Sequence, residues 1–143
     1  MSNASVLIGS CLAMVLLTSL VGLRLFAVRV REMKERRVHP QTASTSLQMA
    51  NKLKNVQAAD NFKNLFEVPV LFYALCALAL AVSHVPTWLA FGVWLFVVLR
   101  VAHSVIHCTY NKVMHRFPVF MLGFAVVVAL WVGFFVTLPR SAV

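Results

Sequence analysis

Charge is scarce in this chain. Only 12% of its 143 residues are Asp, Glu, Lys or Arg, where an ordinary soluble domain carries about 25%. Beside a hydrophobic content of 61%, that deficit excludes a typical soluble fold and points to an integral membrane protein. Cysteine spacing is also missing as a signal. Cys11, Cys76 and Cys108 stand in apolar segments with no C-x-x-C or other metal-type spacing. They read as small buried hydrophobes rather than disulfide partners. No basic stretch is interleaved with aromatics in the way nucleic-acid binding requires. The net charge of +9 therefore reads as basic loops held on the cytoplasmic side. The leading "MSNAS" has no Lys or Arg, so the first apolar segment is expected to be a retained helix and not a cleaved signal peptide. No internal repeat is visible, and the length leaves room for a single domain, 1–143, with no soluble module beside it.

What the chain does have is four apolar segments: residues 6–28, 65–82 with a more polar helical lead-in from 56, 86–108, and 118–138. Each is near the ~20 residues that cross a ~30 Å hydrocarbon core. Without water to satisfy the backbone there, each must be helical. The expected architecture is an all-α four-helix membrane bundle, with helices at about 6–30, 56–82, 86–109 and 118–138. Arg29, Arg31, Lys34, Arg36 and Arg37 follow the first segment, and Lys112 and Arg116 follow the third. The 83–87 connection "SHVPT" has no cation, and the tail has only Arg140. This alternation predicts a multi-pass protein with both termini outside and both basic loops cytoplasmic, the bacterial inner membrane being the expected compartment. "HPQTASTS" (residues 39–46) is expected to be a polar loop tip.

Two polar stripes interrupt this pattern. At ~100° per residue, Arg100, His103, Ser104, His107 and Asn111 share a narrow arc of the third helix. Asp60, Lys63, Asn64 and Glu67 do the same on the second. Measured from the 83–87 turn, Glu67 lies level with Arg100, Asn64 with His103, and Asp60 with His107. A lone charge at membrane depth costs at least ~2.5 kcal/mol, so Glu67 and Arg100 are expected to form a deep ion pair. One such pair serves helix register. Three polar levels suggest the wall of a cavity that opens toward the basic loops. Pro69 should kink the second helix. Arg116 precedes Pro118, which is placed in the first turn of the fourth helix. A guanidinium there would bind an anion or favour a thiolate, or else serve as a snorkelling anchor. His103, His107 and Asp60 could alternatively hold a divalent metal, although stripe histidines are more often hydrogen-bonded than ligating.

"NFKNLFEVPVLFY" (residues 61–73) resembles the N-x-x-E signature of the MAPEG family, membrane-associated proteins in eicosanoid and glutathione metabolism. "RVAHSVIHCTYNKVMHRFP" (residues 100–118) is similar to that family's third helix and following loop, particularly in the prostaglandin E synthase branch. The resemblance extends over essentially the whole chain. It implies a homotrimer of four-helix subunits in membrane lipid, with glutathione as co-substrate bound between neighbouring subunits and a lipophilic small molecule as the second substrate. By the same resemblance Glu67 would hold the amino group of glutathione and Asn64 its peptide. Arg100, His103, His107, Lys63 and one or both of Arg29 and Arg31 would complete the binding set, with Arg116 as the catalytic, thiolate-stabilising arginine. No metal and no nucleic acid is implied. Four positions depart from what the resemblance implies: Lys63 stands where relatives usually carry an arginine, His107 replaces a tyrosine, and Asp60 and Phe117 stand where the prostaglandin E synthase branch has a basic residue and a serine. The implied activity is a glutathione transferase or peroxidase acting on lipophilic electrophiles or hydroperoxides. The alternative is a non-catalytic trimeric binding or interaction module on the same scaffold.

Overall fold

A computed structural model describes residues 2–43 and 45–139. Among these the order is α1 (Asn3–Glu35), a 3-10 turn (Pro40–Ala43), α2 (Ser46–Lys52), α3 (Gln57–Asn64), α4 (Val68–Ala81), α5 (Thr87–Cys108) and α6 (Val113–Thr137). There is no strand among the described residues. Four helical stretches, Asn3–Glu35, Gln57–Ala81, Thr87–Cys108 and Val113–Thr137, are long and apolar enough to cross a membrane. Ser44 of the expected loop tip and Arg140 of the tail lie outside the described residues.

α1 starts on a Ser2 cap, whose hydroxyl accepts from the Ser5 amide at 3.2 Å. It runs beyond the expected residue 30 because nothing stops it. Arg31 pairs with Glu35, and Arg36 with Glu32, each one turn apart. The segment expected as loop contains a short helix instead. Thr45 and Gln48 close a reciprocal capping box that starts α2, for which the sequence carries the T-x-x-Q signal.

The second span is not continuous. Pro69 has no N–H to give the carbonyl of Leu65 and restricts the residue before it. The chain answers with a turn at residues 65–67. There Leu65, Phe66 and Glu67 donate back three positions, to Phe62, Lys63 and Asn64, at 3.2, 2.9 and 3.4 Å. α4 then begins with Pro69 near its N-terminus. α6 differs too. It starts at Val113, five residues early, so Pro118 lies inside the helix and not in its first turn.

Two polar contacts fix the register of α1. The Asn3 side chain donates to the Val85 carbonyl at 2.9 Å, tying the N-terminus to the 83–87 turn. At the other end the Arg24 guanidinium donates to the Cys108 carbonyl, one of the orphan carbonyls that end α5. The core between these ends is apolar: Leu7, Met14, Phe72, Leu75, Leu89, Val93, Phe96, Val127 and Phe134 are almost wholly buried. Phe72 and Phe96 stack at 5.0 Å across α4 and α5. The outer faces carry bare apolar side chains, among them Phe26, Phe91 and Phe135 at 69%, 74% and 78% exposure. Such surface suits lipid and not water.

The first loop is anchored by one carboxylate. Glu32 is buried, accepts from the amides of Lys54 and Asn55 at 2.6 and 3.1 Å, and pairs with Arg36 at 2.9 Å. Hydrogen bonds to an ionised group contribute about 1.5–3 kcal/mol each. Glu32→Ala is therefore expected to lower unfolding stability by about 2–4 kcal/mol. It should also open the peptide bonds after Lys52 and Lys54 to trypsin, read by limited proteolysis beside a thermal melt.

Candidate active site

At the basic end of the bundle, α3, the 65–67 turn, α5 and α6 surround an open cavity of about 260 Å³, lined by Asp60, Lys63, Asn64, Glu67, His107 and Arg116. The helical phase of α3 puts the first three on one side. The turn carries Glu67 onto the same wall, α5 supplies His107 from its last turn, and α6 supplies Arg116 from its first. Two cations and two carboxylates thus meet at one amide and one imidazole. Among the described residues the ion pairs are Arg31–Glu35 and Arg36–Glu32, so the four cavity charges are not matched to one another. Arg116 is half-buried, and Nη1 donates to Asn111 Oδ1 at 2.7 Å. Asn111 has a φ of 48°, a left-handed conformation that asparagine tolerates better than most residues. The turn after α5 therefore aims the arginine.

A second cavity of about 490 Å³ adjoins the first along α3 and shares Asp60 and Lys63 with it. Arg29 stands in its wall beside the apolar Leu25, Met49 and Phe66. Arg29 lines this second cavity and not the first, while Arg31 is exposed and pairs with Glu35 at 2.8 Å. A third hollow, about 320 Å³, opens on the apolar flank between α1 and α4, lined by Val15, Thr18, Ser19, Leu65, Phe66, Val70 and Tyr73.

The expected Glu67–Arg100 ion pair does not form. Glu67 is exposed, and Arg100 is 1% exposed. Its guanidinium lies 5.2 Å from the Phe96 ring centroid and 5.0 Å from that of Phe120, and neither Nη1 nor Nη2 has a hydrogen-bond partner among the described residues. Gly123 gives it room, since a Cβ there would stand 3.4 Å from Nη2. The physical reason is the turn: three-residue hydrogen bonds wind the chain more tightly than an α-helix and swing Glu67 toward the cavity. His103 is buried beside Phe120 and meets His107 edge-on, ring centroids 5.5 Å apart. Neither Arg100 nor His103 lines the cavity.

One residue was missed. Asn61 is fully buried, donates to Cys108 Sγ and accepts from Ser104 Oγ, both at 3.4 Å. It faces α5 midway between those two residues, at the depth that equal spacing from the 83–87 turn predicts. The depth was legible; the face was one residue off. The metal alternative finds no ligand set, for no group of three or more His, Cys, Asp or Glu among the described residues is placed to hold an ion.

Residues 7–136 match the model of the MAPEG family. The chain belongs to the MAPEG family. No curated protein and no solved structure matches it. As a MAPEG protein it is an integral, multi-pass membrane protein of the glutathione and eicosanoid metabolism kind, and its four spanning helices are those of a MAPEG four-helix bundle. The cavity lies where the two polar stretches that resembled this family, 61–73 and 100–118, come together.

Proposed function

We propose that the protein is a membrane glutathione transferase or peroxidase that uses an Arg116-stabilised thiolate. The observation that carries this reading is the mixed charge of the cavity: Lys63 and Arg116 against Asp60 and Glu67, with Asn64 between them. Glutathione offers an ammonium group, two carboxylates, peptide amides and a thiol. Glu67 suits the ammonium and Asn64 the peptide, Lys63 and Arg29 suit carboxylates, and Arg116 suits the sulfur. Arg116 also stands in the first turn of a 25-residue helix, where the helix end favours an anion. Arg100 and His103 act from behind the wall, adding positive potential and packing. The assembly is a homotrimer in lipid, with the basic end of the bundle on the cytoplasmic side.

The thiolate would attack an electrophilic carbon, forming C–S while the leaving group departs with its bonding pair. With a hydroperoxide it would attack the terminal oxygen, so that O–O breaks, an alcohol leaves after protonation, and the sulfenic acid condenses with a second glutathione to give disulfide and water. The hollow between α1 and α4 opens on the lipid-facing flank, which suits a co-substrate arriving from the bilayer. The protein's contribution is thiolate stabilisation and proximity.

Glutathione added to the purified protein tests this reading by thiolate absorbance in the ultraviolet. A signal at neutral pH that disappears in Arg116→Ala is the expected result. No signal, with calorimetry showing no glutathione binding, would overturn the reading in favour of a non-catalytic binding module.

A further inference from the structure

We propose that His107 is the proton acceptor that converts bound glutathione to its thiolate, a role that rests on the glutathione reading above. Three observations meet at this side chain. His107 is 1% exposed, yet neither Nδ1 nor Nε2 has a hydrogen-bond partner among the described residues. It forms part of the cavity wall together with Arg116. Asp60 stands in the same wall.

A buried imidazole with both nitrogens idle is costly as a structural element, since each buried polar atom without a partner forfeits about 1–3 kcal/mol. A packing role at this position would be filled by a residue with nothing to satisfy. A neutral imidazole carries one N–H and one free lone pair. His107 stands in the cavity wall with both nitrogens just closed off, so a turn of the ring would offer one of them to whatever occupies that space. The surrounding charges are complementary to a transferred proton. Asp60 on α3 and Glu67 on the turn offset an imidazolium, while Lys63 on α3, Arg116 on α6 and Arg100 on α5 favour the anion left behind, with His103 packed edge-on against the ring.

The step balances within the site. The S–H bond of glutathione breaks, an N–H bond forms on His107, and the electron pair stays on sulfur beside Arg116. The imidazolium then returns its proton to the leaving group or, with a hydroperoxide, to the alkoxide released as O–O breaks. Arg116 sets how much thiolate exists; His107 sets how fast it appears.

The experiment is stopped-flow thiolate formation at neutral pH in wild type, His107→Gln and His107→Ala, with calorimetry on each. Wild type is expected to form thiolate rapidly. Both variants should still bind glutathione, weakened by no more than a few-fold because Lys63, Asn64, Glu67 and Arg116 remain, which also reports that they fold, and form thiolate about 100-fold more slowly. Imidazole added to the buffer should restore the rate of His107→Ala in proportion to its concentration, which a packing role would not produce. Thiolate formation at the wild-type rate in His107→Gln overturns the assignment and leaves the glutathione reading standing. A slow His107→Ala that does not respond to imidazole also overturns it. A wild-type protein that binds no glutathione removes both.

Discussion

Arg116→Ala is expected to move the midpoint of the bound-thiolate titration up by about 1–3 pH units while leaving glutathione bound. A cation within ion-pairing distance favours the charged form of the sulfur, so the thiolate persists to lower pH with Arg116 than without it. Removing the guanidinium therefore raises the pH at which the thiolate appears. At neutral pH the thiolate fraction should fall about 10- to 1,000-fold. Binding should suffer less, because Lys63, Asn64 and Glu67 line the same cavity and remain. The two readouts are ultraviolet absorbance against pH and calorimetric affinity. Arg116→Lys should recover part of the shift but not all, since an ammonium keeps the charge and loses the fork that Asn111 holds at 2.7 Å. An unchanged titration in Arg116→Ala would remove this residue from the chemistry.

The second large effect is expected at Arg100, with two readouts moving in opposite directions. Its guanidinium is buried without an acidic partner and rests between two aromatic faces. An aromatic face contributes about 0.5–2 kcal/mol to a cation. An unpaired charge at membrane depth costs at least ~2.5 kcal/mol, and each unmet donor adds about 1–3 kcal/mol. The balance is unfavourable. Arg100→Met, which keeps most of the volume, should raise the unfolding stability of the ligand-free protein by about 1–4 kcal/mol. The same change removes a positive charge from behind the His103–His107 pair, so the thiolate fraction at neutral pH should drop several-fold, by roughly the effect of one screened charge. Thermal melts without ligand and thiolate titrations with it check the two halves. A loss of stability in Arg100→Met would mean that an anionic group reaches this arginine in the assembled protein.

The four spans, the basic connections and the polar stripes were all readable in the sequence, because membrane thickness and helical period leave few alternatives. The cavity wall was readable too: Asp60, Lys63, Asn64 and Glu67 do share a face. The failures trace to backbone events that periodicity does not encode. Pro69 was seen as a kink, but its effect, a turn of three-residue hydrogen bonds at 65–67, rotates Glu67 away from Arg100. Asn61 sits one position from the stripe and was overlooked because a single polar residue has no period. Glu32 was one acid among many cations, and nothing local shows that it would reach the amides 22 and 23 residues onward. Pro118 was placed at a helix start because that is where proline is cheapest; α6 begins earlier and accommodates it.

The ring of Phe66, on the 65–67 turn, belongs to the walls of both the charged second cavity and the apolar hollow between α1 and α4. One aromatic side chain thus forms the boundary between a compartment that holds Arg29, Asp60 and Lys63 and one with no charge in its wall. A charged molecule and an apolar one can each meet Phe66 from its own side of that partition.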